Sequence, residues 1–215
     1  LAIPPEKDTF LKFRDYLYNQ MVQLGIKFEL CEVKSAEDLK PYNPDVIIVA
    51  VGATQAKPNF TVAPGAHVVM AEDVLTGKEH VGKSVCVIGG GLVGAETAKH
   101  LCTQDKDVHI VEMQEAIGKD YGATYVGHNL SFLTKKGVIS HLNSKVTAVE
   151  KGKVILDNGT INVDSVVVAV GYQANTALAE KLKAVYPEVY VVGDAKAPRR
   201  VLDATSEGFA VANEV

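Results

Sequence analysis

Two patterns of apolar residues alternate along this chain of 215 residues. Residues 8–24 place apolar side chains at helical spacing, and Gly25 follows as a helix-ending residue. The next segment, "IKFEL" at 26–30, predicts a strand. Short apolar runs that end in glycine, at 45–53 and 164–172, predict buried strands. Alternating helices and strands predict an α/β fold in which helices cover parallel sheets.

The middle of the chain continues this alternation. A strand at 84–88, a helix over about 92–103 and a strand at 107–113 predict one α/β unit. Further predicted elements are a helix at 122–136, three short strands ("VISHL", "KVTAVEK" and "KVILDNG"), a strand in "EVYVVGDA", a short helix in "SAEDL" and a closing helix from about Val201. The stretch "TQAKPNFTVAPGAHV" has no clean period and predicts a connector. "LDNGT" predicts a hairpin turn, because Asn-Gly tolerates positive φ.

Composition and charge exclude several classes of function. Apolar residues make up 47% of the chain and the net charge is −4, so no basic surface for nucleic acid is expected. The longest apolar runs are far shorter than the roughly 20 residues that cross a bilayer. Three distant cysteines and six scattered histidines predict reduced thiols, a cytoplasmic location and no metal site.

A glycine-rich loop is the most informative motif. In "VIGGGLVGAE", at 87–96, three glycines form GxGxxG between an apolar strand and a helix. Gly89 allows the tight turn, Gly91 lets a pyrophosphate approach the backbone, and Gly94 lets helix and strand pack closely. The helix N-terminus offers N–H groups to phosphates. A glycine-rich turn in a generic α/β protein is the alternative, and the complete context argues against it.

An acidic residue follows the second strand of this unit, as a dinucleotide site requires. Glu112 lies 18 residues beyond Gly94, close to the expected offset of about 20. Its carboxylate can accept hydrogen bonds from both hydroxyls of an adenosine ribose and would repel a 2′-phosphate. The stretch "EMQEA" supplies no Arg or Lys beside it. We therefore predict a preference for NADH over NADPH.

A second nucleotide site is incomplete in the sequence. "VVGDA" places Gly193 and Asp194 after an apolar strand and before a helix, where the Asp can bond a ribityl or ribose hydroxyl. A turn with a capping Asp explains the same residues equally well. The likeness of "DVIIVAVGA" to "DSVVVAVGY" nevertheless suggests two related nucleotide-binding domains.

These motifs resemble those of a known family of flavoproteins. "IGGGLVGAETA", "VVVAVGY" and "VYVVGDA" stand in the order seen in proteins with two dinucleotide-binding folds. "LAIPPEKDTF", "VHIVEMQEAIGKDYG" and "GDAKAPRRVLDATSEGF" resemble the C-terminal part of NADH:flavin oxidoreductases of the 2-enoate reductase and 2,4-dienoyl-CoA reductase group. The likeness extends over essentially the whole chain.

The resemblance implies a Rossmann-like three-layer NAD(H)-binding domain at 79–173, inserted in a partial FAD-type domain at 1–78 and 174–215. It places Glu96 near the nicotinamide, although an acid in the first helical turn is an equally good interpretation. It assigns Gly52, Gly193 and Asp194 to FAD. The full set of predicted cofactor-binding residues is Gly52, Gly89, Gly90, Gly91, Leu92, Val93, Gly94, Glu96, Glu112, Met113, Gly171, Gly193 and Asp194.

The resemblance also implies a longer protein. The first residue is Leu, and the FAD pyrophosphate loop, an FMN-binding barrel and the cysteines of a 4Fe-4S cluster are expected in a preceding part of the polypeptide. Electrons would pass from NADH to FAD, the cluster and FMN, which reduces activated C=C bonds of 2-enoates or dienoyl-CoA. No catalytic residue is assigned in this chain, and we expect it to be colourless when purified.

Other functions fit the same residues. An NADH oxidase or an amine-dehydrogenase-like relative would keep the fold and change the substrate. A non-catalytic NADH-binding module would bind the cofactor without passing a hydride. A disulfide reductase is disfavoured because the sequence contains neither CxxC nor CxxxxC.

Overall fold

The computed structural model describes residues 7–119 and 122–215. Part of "LAIPPEKDTF" and of "VHIVEMQEAIGKDYG" therefore lies outside the described residues. The strands are Ile47–Val49 (β1), Ala53–Gln55 (β2), Thr61–Val62 (β3), Val68–Met70 (β4), Ser84–Ile88 (β5), Asp107–Val111 (β6), Ile139–His141 (β7), Val146–Glu150 (β8), Lys153–Leu156 (β9), Thr160–Asn162 (β10), Ser165–Val168 (β11), Tyr172–Ala174 (β12) and Val189–Val191 (β13). The α-helices are Thr9–Gln23 (α1), Ala71–Leu75 (α2), Leu92–Thr103 (α3), Ala123–Lys135 (α4), Ala177–Lys183 (α5) and Val201–Ala212 (α6), with 3-10 helices at Ala36–Tyr42 and Gly193–Ala195.

The chain divides into two compact units. The first comprises Leu1–Ile26 and Lys57–Gly171, and the second comprises Lys27–Ala56 and Tyr172–Val215. The sequence-based division instead lay at 78/79 and 173/174, so residues 57–78 cluster with the predicted NAD(H)-binding part. The reason is local pairing, since β4 adds an edge strand to the sheet that contains β5.

The first unit has three layers. Its central sheet has the order β4-β11-β5-β6-β7, and every pair in it is parallel. Successive residues of β5 point to opposite faces, as in any strand: Val85 and Val87 join the core beside α2, α3 and α4, and Cys86 and Ile88 join the core on the other face. Because both faces are covered, β5 and β11 are apolar at every position after their first residue, which is a serine in each.

The outer layer corrects one expectation. A four-stranded sheet of order β10-β9-β8-β3 covers the second face of the central sheet, where helices were predicted. Its β8-β9 and β9-β10 pairs are antiparallel, and β3 joins from the predicted connector. The hairpin at "LDNGT" is present between β9 and β10, but neither Asn158 nor Gly159 is among the residues with positive φ.

The second unit is built around short strand pairs. β1 and β13 form a parallel pair and β2 and β12 an antiparallel one. A small core of Ala36, Val49, Ala179 and Leu182 lies between the first 3-10 helix, β1 and α5. The predicted strand at 26–30 is wrong, since this segment is in no strand, and α5 was not predicted. The α/β class with parallel strands is confirmed.

Candidate nucleotide-binding site

The glycine loop lies at the carboxyl end of the central sheet. β5 ends at Ile88, and Gly89 turns with φ of +103°, a conformation that favours glycine. Its N–H donates to the carbonyl of Val111 at 2.8 Å, which joins the loop to the end of β6. A Cβ at Gly89 would collide with the carbonyl oxygen of Ala169. The turn is therefore confined between two neighbouring strands.

Two further glycines of the motif have different surroundings. A Cβ at Gly94 would collide with the carbonyl oxygen of Gly89, so the close approach of α3 to the loop requires glycine there. Gly91 caps α3 with extended backbone, and a Cβ at this position would meet no atom within 4 Å. The structure thus has packed glycines on one side of the loop and open space at the start of the helix, as a phosphate group needs.

The carboxylate of Glu112 is fixed beside this loop. One oxygen accepts a hydrogen bond from the N–H of Gly90 at 2.6 Å, and the other accepts one from the N–H of Gln114 at 2.8 Å. The backbone of Glu112 is also held, because its N–H donates to His141 and its carbonyl accepts from Ser144. Each carboxylate oxygen has a second lone pair, so ribose hydroxyls can still donate to it.

The segment after Glu112 folds back over the glycine loop. The N–H of Gly118 donates to the carbonyl of Gly90 at 2.8 Å. Ile117 is buried in the core beside α2, α3 and α4, here called the helix-side core. The result is a small depression, lined by Gly90, Gly91, Glu112, Gln114, Ala116, Gly118 and Lys119. The sequence motif does not point to Lys119, because it lies three residues beyond the stretch "EMQEA" that begins with Glu112.

The remaining predicted residues of the first unit differ in position. Val93, in the first turn of α3, packs against the helix-side core, and Leu92 beside it is partly exposed. Met113 follows Glu112 with 67% of its surface exposed. Gly171 has φ of +104° and lies beyond the carboxyl end of β11, the strand beside β5. Their contacts with a cofactor remain predictions.

Glu96 is not an acid of the first helical turn, as the alternative interpretation held. It is the fifth residue of α3 and is only 6% exposed. Its carboxylate forms an ion pair with the ammonium of Lys7, whose side chain is also largely covered. A buried carboxylate requires such a partner, because burying an uncompensated charge is costly. Sequence reasoning had no signal for Lys7, which is 89 residues away.

In the second unit, the three predicted residues follow the carboxyl ends of two paired strands. Gly52 follows β1, and Gly193 and Asp194 follow β13, the strand paired in parallel with β1. Gly52 and Gly193 have φ of +70° and +62°. A Cβ at Gly193 would come within 3.1 Å of the Cβ of Ala204, so α6 packs tightly against this turn.

A carboxylate on α6 holds the same turn. Glu207 accepts a hydrogen bond from the N–H of Gly193 at 2.8 Å, and it pairs with Arg199 and with Lys196 at 3.3 Å. The Arg199 guanidinium, followed by the Gly193 N–H, lowers the pKa of Glu207 to about 2. Asp194 in turn accepts from the N–H of Arg199 at 3.0 Å. No motif in the sequence indicates this role for Glu207, which is 13 residues beyond Asp194.

Two kinds of site are absent from the described residues. In the part of the chain that the structure covers, no group of three His, Cys, Asp or Glu side chains is placed to hold a metal ion. None of the helices there combines the length and the apolar character needed to cross a membrane.

Comparison with known proteins places this geometry in a family. Cinnamate reductase of Clostridium sporogenes is 31% identical over 100% of this chain and 33% of its own length. Bilirubin reductase of Mediterraneibacter gnavus is 34% identical over 99% of this chain and 34% of its own length. The solved structure of a 2-naphthoyl-CoA reductase complex matches with a TM-score of 0.90 at 26% identity, over 100% of this chain and 33% of that one. The chain thus spans about a third of the length of these relatives.

Residues 14–208 match the family model described as pyridine nucleotide-disulphide oxidoreductase. The matched residues include the central parallel sheet, the glycine loop and the fixed carboxylate of Glu112. The chain belongs to the pyridine nucleotide-disulphide oxidoreductase family.

Proposed function

We propose that the chain is the NADH-binding portion of a longer flavin-dependent reductase that acts on activated C=C bonds. The observation that carries this proposal is the carboxylate of Glu112, held by the amides of Gly90 and Gln114 beside an open helix N-terminus. A fixed acceptor of this kind matches the two hydroxyls of an adenosine ribose. NADH, when bound, supplies the hydride.

The residues of the first unit have separate tasks in this proposal. Gly91 and the first N–H groups of α3 bind the pyrophosphate, and Gly90 holds the carboxylate of Glu112. Glu112 orients the ribose and disfavours a 2′-phosphate. Leu92, Val93, Met113 and Gly171 line the path of the cofactor. Glu96, with its charge balanced by Lys7, lies toward the nicotinamide. The preference for NADH over NADPH is part of the proposal.

The second unit contributes part of an FAD site. Gly52 leaves open space for a close approach by a ligand, and Asp194 offers a carboxylate at the same edge. The FAD-type domain of the proposal comprises 1–78 and 174–215, and the NAD(H)-binding domain comprises 79–173. The remaining FAD contacts, the FMN site and the 4Fe-4S cluster belong to the rest of the polypeptide, as does the substrate-reducing active site. The cytoplasm is its proposed location.

The names of the relatives support a conjugated organic substrate. They are called reductases of cinnamate, bilirubin and 2-naphthoyl-CoA, all of which contain conjugated carbon–carbon bonds. This chain holds the cofactor side of such a reaction, and the part of the protein that it does not include would select the substrate.

The test is anaerobic oxidation of NADH by the intact gene product. One assay uses cinnamate as the electron acceptor, and a second assay uses an artificial redox dye. We expect NADH oxidation with the dye, and with cinnamate or a related enoate. Gly91→Ala provides the matched variant, because it alters the nucleotide site while meeting no neighbouring atom. Binding of NADH without oxidation by either acceptor would contradict the reductase and favour a non-catalytic module. Oxidation without reduction of any enoate would favour an NADH oxidase.

A further inference from the structure

The turn between β7 and β8, residues 142–144, holds the backbone on both sides of the Glu112 carboxylate. The N–H of Ser144 donates to the carbonyl of Glu112 at 3.0 Å, and the N–H of Asn143 donates to the carbonyl of Gln114 at 3.0 Å. Gln114 in turn donates its own N–H to the carboxylate of Glu112. The turn therefore fixes the residue that carries the carboxylate and also one of the donors that orient it.

The shape of this turn depends on the side chain of Ser144. This residue is only 3% exposed, and its hydroxyl donates to the carbonyl of Leu142 at 2.9 Å. Asn143, between the two, has φ of +48°, in the left-handed region that Asn adopts more readily than most residues. A buried hydroxyl is costly unless it is hydrogen-bonded. The Ser144 hydroxyl also accepts a hydrogen bond, from the side-chain amide of Asn158 at 2.9 Å.

The hairpin turn in "LDNGT" supports the 142–144 turn. The N–H of Asp157 donates to the carbonyl of Lys145 at 2.9 Å, and its carboxylate accepts from the N–H of Lys145 at 3.0 Å. Together with the bond from Asn158 to Ser144, these contacts join the hairpin to residues 144–145. Neither Asn158 nor Gly159 has a positive φ, so the backbone of the hairpin does not explain why Asn stands at position 158. Its hydrogen bond to the buried hydroxyl does.

We propose that Ser144 and Asn158 are positioning residues of the nucleotide site, which hold Glu112 in the orientation that binds the adenosine ribose. Both lie outside the lining of the depression beside the glycine loop, so they act through the backbone of Glu112 and Gln114. The inference rests on the proposed function, since it requires the ribose at Glu112. It gives the "LDNGT" hairpin a role in binding as well as in reversing the chain.

The experiment compares, by calorimetry, the Kd values of ADP and 2′-deoxy-ADP for this chain. The second nucleotide lacks one of the hydroxyls that Glu112 would accept from, and both keep the pyrophosphate. We expect the wild-type chain to bind ADP about tenfold more tightly than 2′-deoxy-ADP. Ser144→Ala and Asn158→Ala are each expected to raise the ADP Kd by about threefold or more. The 2′-deoxy-ADP Kd is expected to change by less than about twofold, because the pyrophosphate contacts stay intact.

Two controls separate positioning from a general loss of stability. In a Glu112→Ala background, Asn158→Ala is expected to leave the ADP Kd unchanged, because the carboxylate that it positions is gone. Thr147→Val is the matched variant. Thr147 is an exposed residue of β8 whose hydroxyl donates to the carbonyl of Ile155 in β9 at 3.2 Å, in the same antiparallel layer. We expect Thr147→Val to keep the wild-type preference for ADP.

The outcomes distinguish this inference from the proposed function. A wild-type preference for ADP in both Ser144→Ala and Asn158→Ala would overturn the positioning role and leave the nucleotide site intact. The same holds for an equal loss of both nucleotides, or for an effect of Asn158→Ala that persists without Glu112. Equal Kd values of the two nucleotides for the wild-type chain, or binding of neither, would overturn the proposed role of Glu112 and the inference with it.

Discussion

At the scale of single residues, the glycines of the motif divide into those that the fold needs and those that a ligand needs. Gly94 touches the carbonyl of Gly89 so closely that no side chain fits, whereas Gly91 faces open space with φ of −68°. The spacing of the motif predicted a role for both glycines. Only the structure shows that close packing requires glycine at position 94, whereas position 91 has open space for a ligand. Glu112 was equally predictable, because its position follows from the end of a strand.

The two glycines predict different outcomes for the same substitution. Gly91→Ala is expected to destabilise the fold by no more than about 1 kcal/mol, because the added Cβ costs only a less favoured helix cap. It is expected to raise the Kd of NADH by about tenfold or more, because the methyl group occupies the approach of the pyrophosphate. Urea denaturation and calorimetry measure the two effects.

Gly94→Ala serves as the counterpart of Gly91→Ala. Its Cβ must displace α3 from the loop, so we expect both stability and NADH binding to fall. Overpacking of this kind typically costs about 1–3 kcal/mol. If Gly91→Ala lost as much stability as Gly94→Ala, or bound NADH as tightly as the wild-type chain, the assigned roles would be wrong.

The depressed pKa of Glu207 predicts a pH dependence of stability. The folded pKa of about 2 lies below the ordinary value of 4.5, because Arg199 and the Gly193 N–H favour the charged form. The resulting stabilisation is present above about pH 4.5 and is lost as the pH falls toward the folded pKa. Glu207→Gln is therefore expected to be less stable than the wild-type chain at pH 7, with a difference that shrinks below about pH 4.5.

Urea denaturation between pH 7 and pH 3.5 measures this difference. Glu180→Gln, an exposed carboxyl on α5 of the same unit, is the control and is expected to show no comparable pH dependence. A stability difference for Glu207→Gln that stays constant from pH 7 to pH 3.5 would contradict the assignment.

At the scale of elements, periodicity predicted helices better than it predicted their packing. The spacing of Phe10, Phe13 and Leu17 predicted α1, and the helix is present at Thr9–Gln23, yet none of its residues is buried among the described ones. The segment 26–30 has the composition of a strand but forms none, because a strand exists only through a partner. Composition carries no information on the partner.

The contrast between α1 and α3 predicts their local stability. Eight of the twelve residues of α3 are buried, so its amides are expected to exchange only through large openings of the first unit. The amides of α1 are expected to exchange about 100-fold faster or more, since fewer contacts oppose local opening. Hydrogen–deuterium exchange followed by mass spectrometry compares the two helices in one sample. Equal protection of the α1 and α3 amides from exchange would contradict this difference in local stability.

At the scale of the whole molecule, the sequence predicted what is encoded locally. The strand, glycine loop, helix and acid of the dinucleotide motif lie within about 30 residues, as the motif predicts. Lys119 and Lys7 were missed because their positions depend on the return of the 112–119 segment over the loop and on a contact across 89 residues. The antiparallel layer was missed because short strands do not reveal which face they cover.

The function proposed for the first unit requires that the fixed carboxylate of Glu112 and the glycine loop bind NADH. Its most direct test is calorimetric titration of this chain with NADH, in parallel with Glu112→Ala. We predict a single saturable site with a Kd in the micromolar range, weakened about tenfold or more by Glu112→Ala because hydrogen bonds to the ribose are lost. Absence of saturable binding, or an identical Kd in the variant, would contradict NADH binding at this carboxylate and loop.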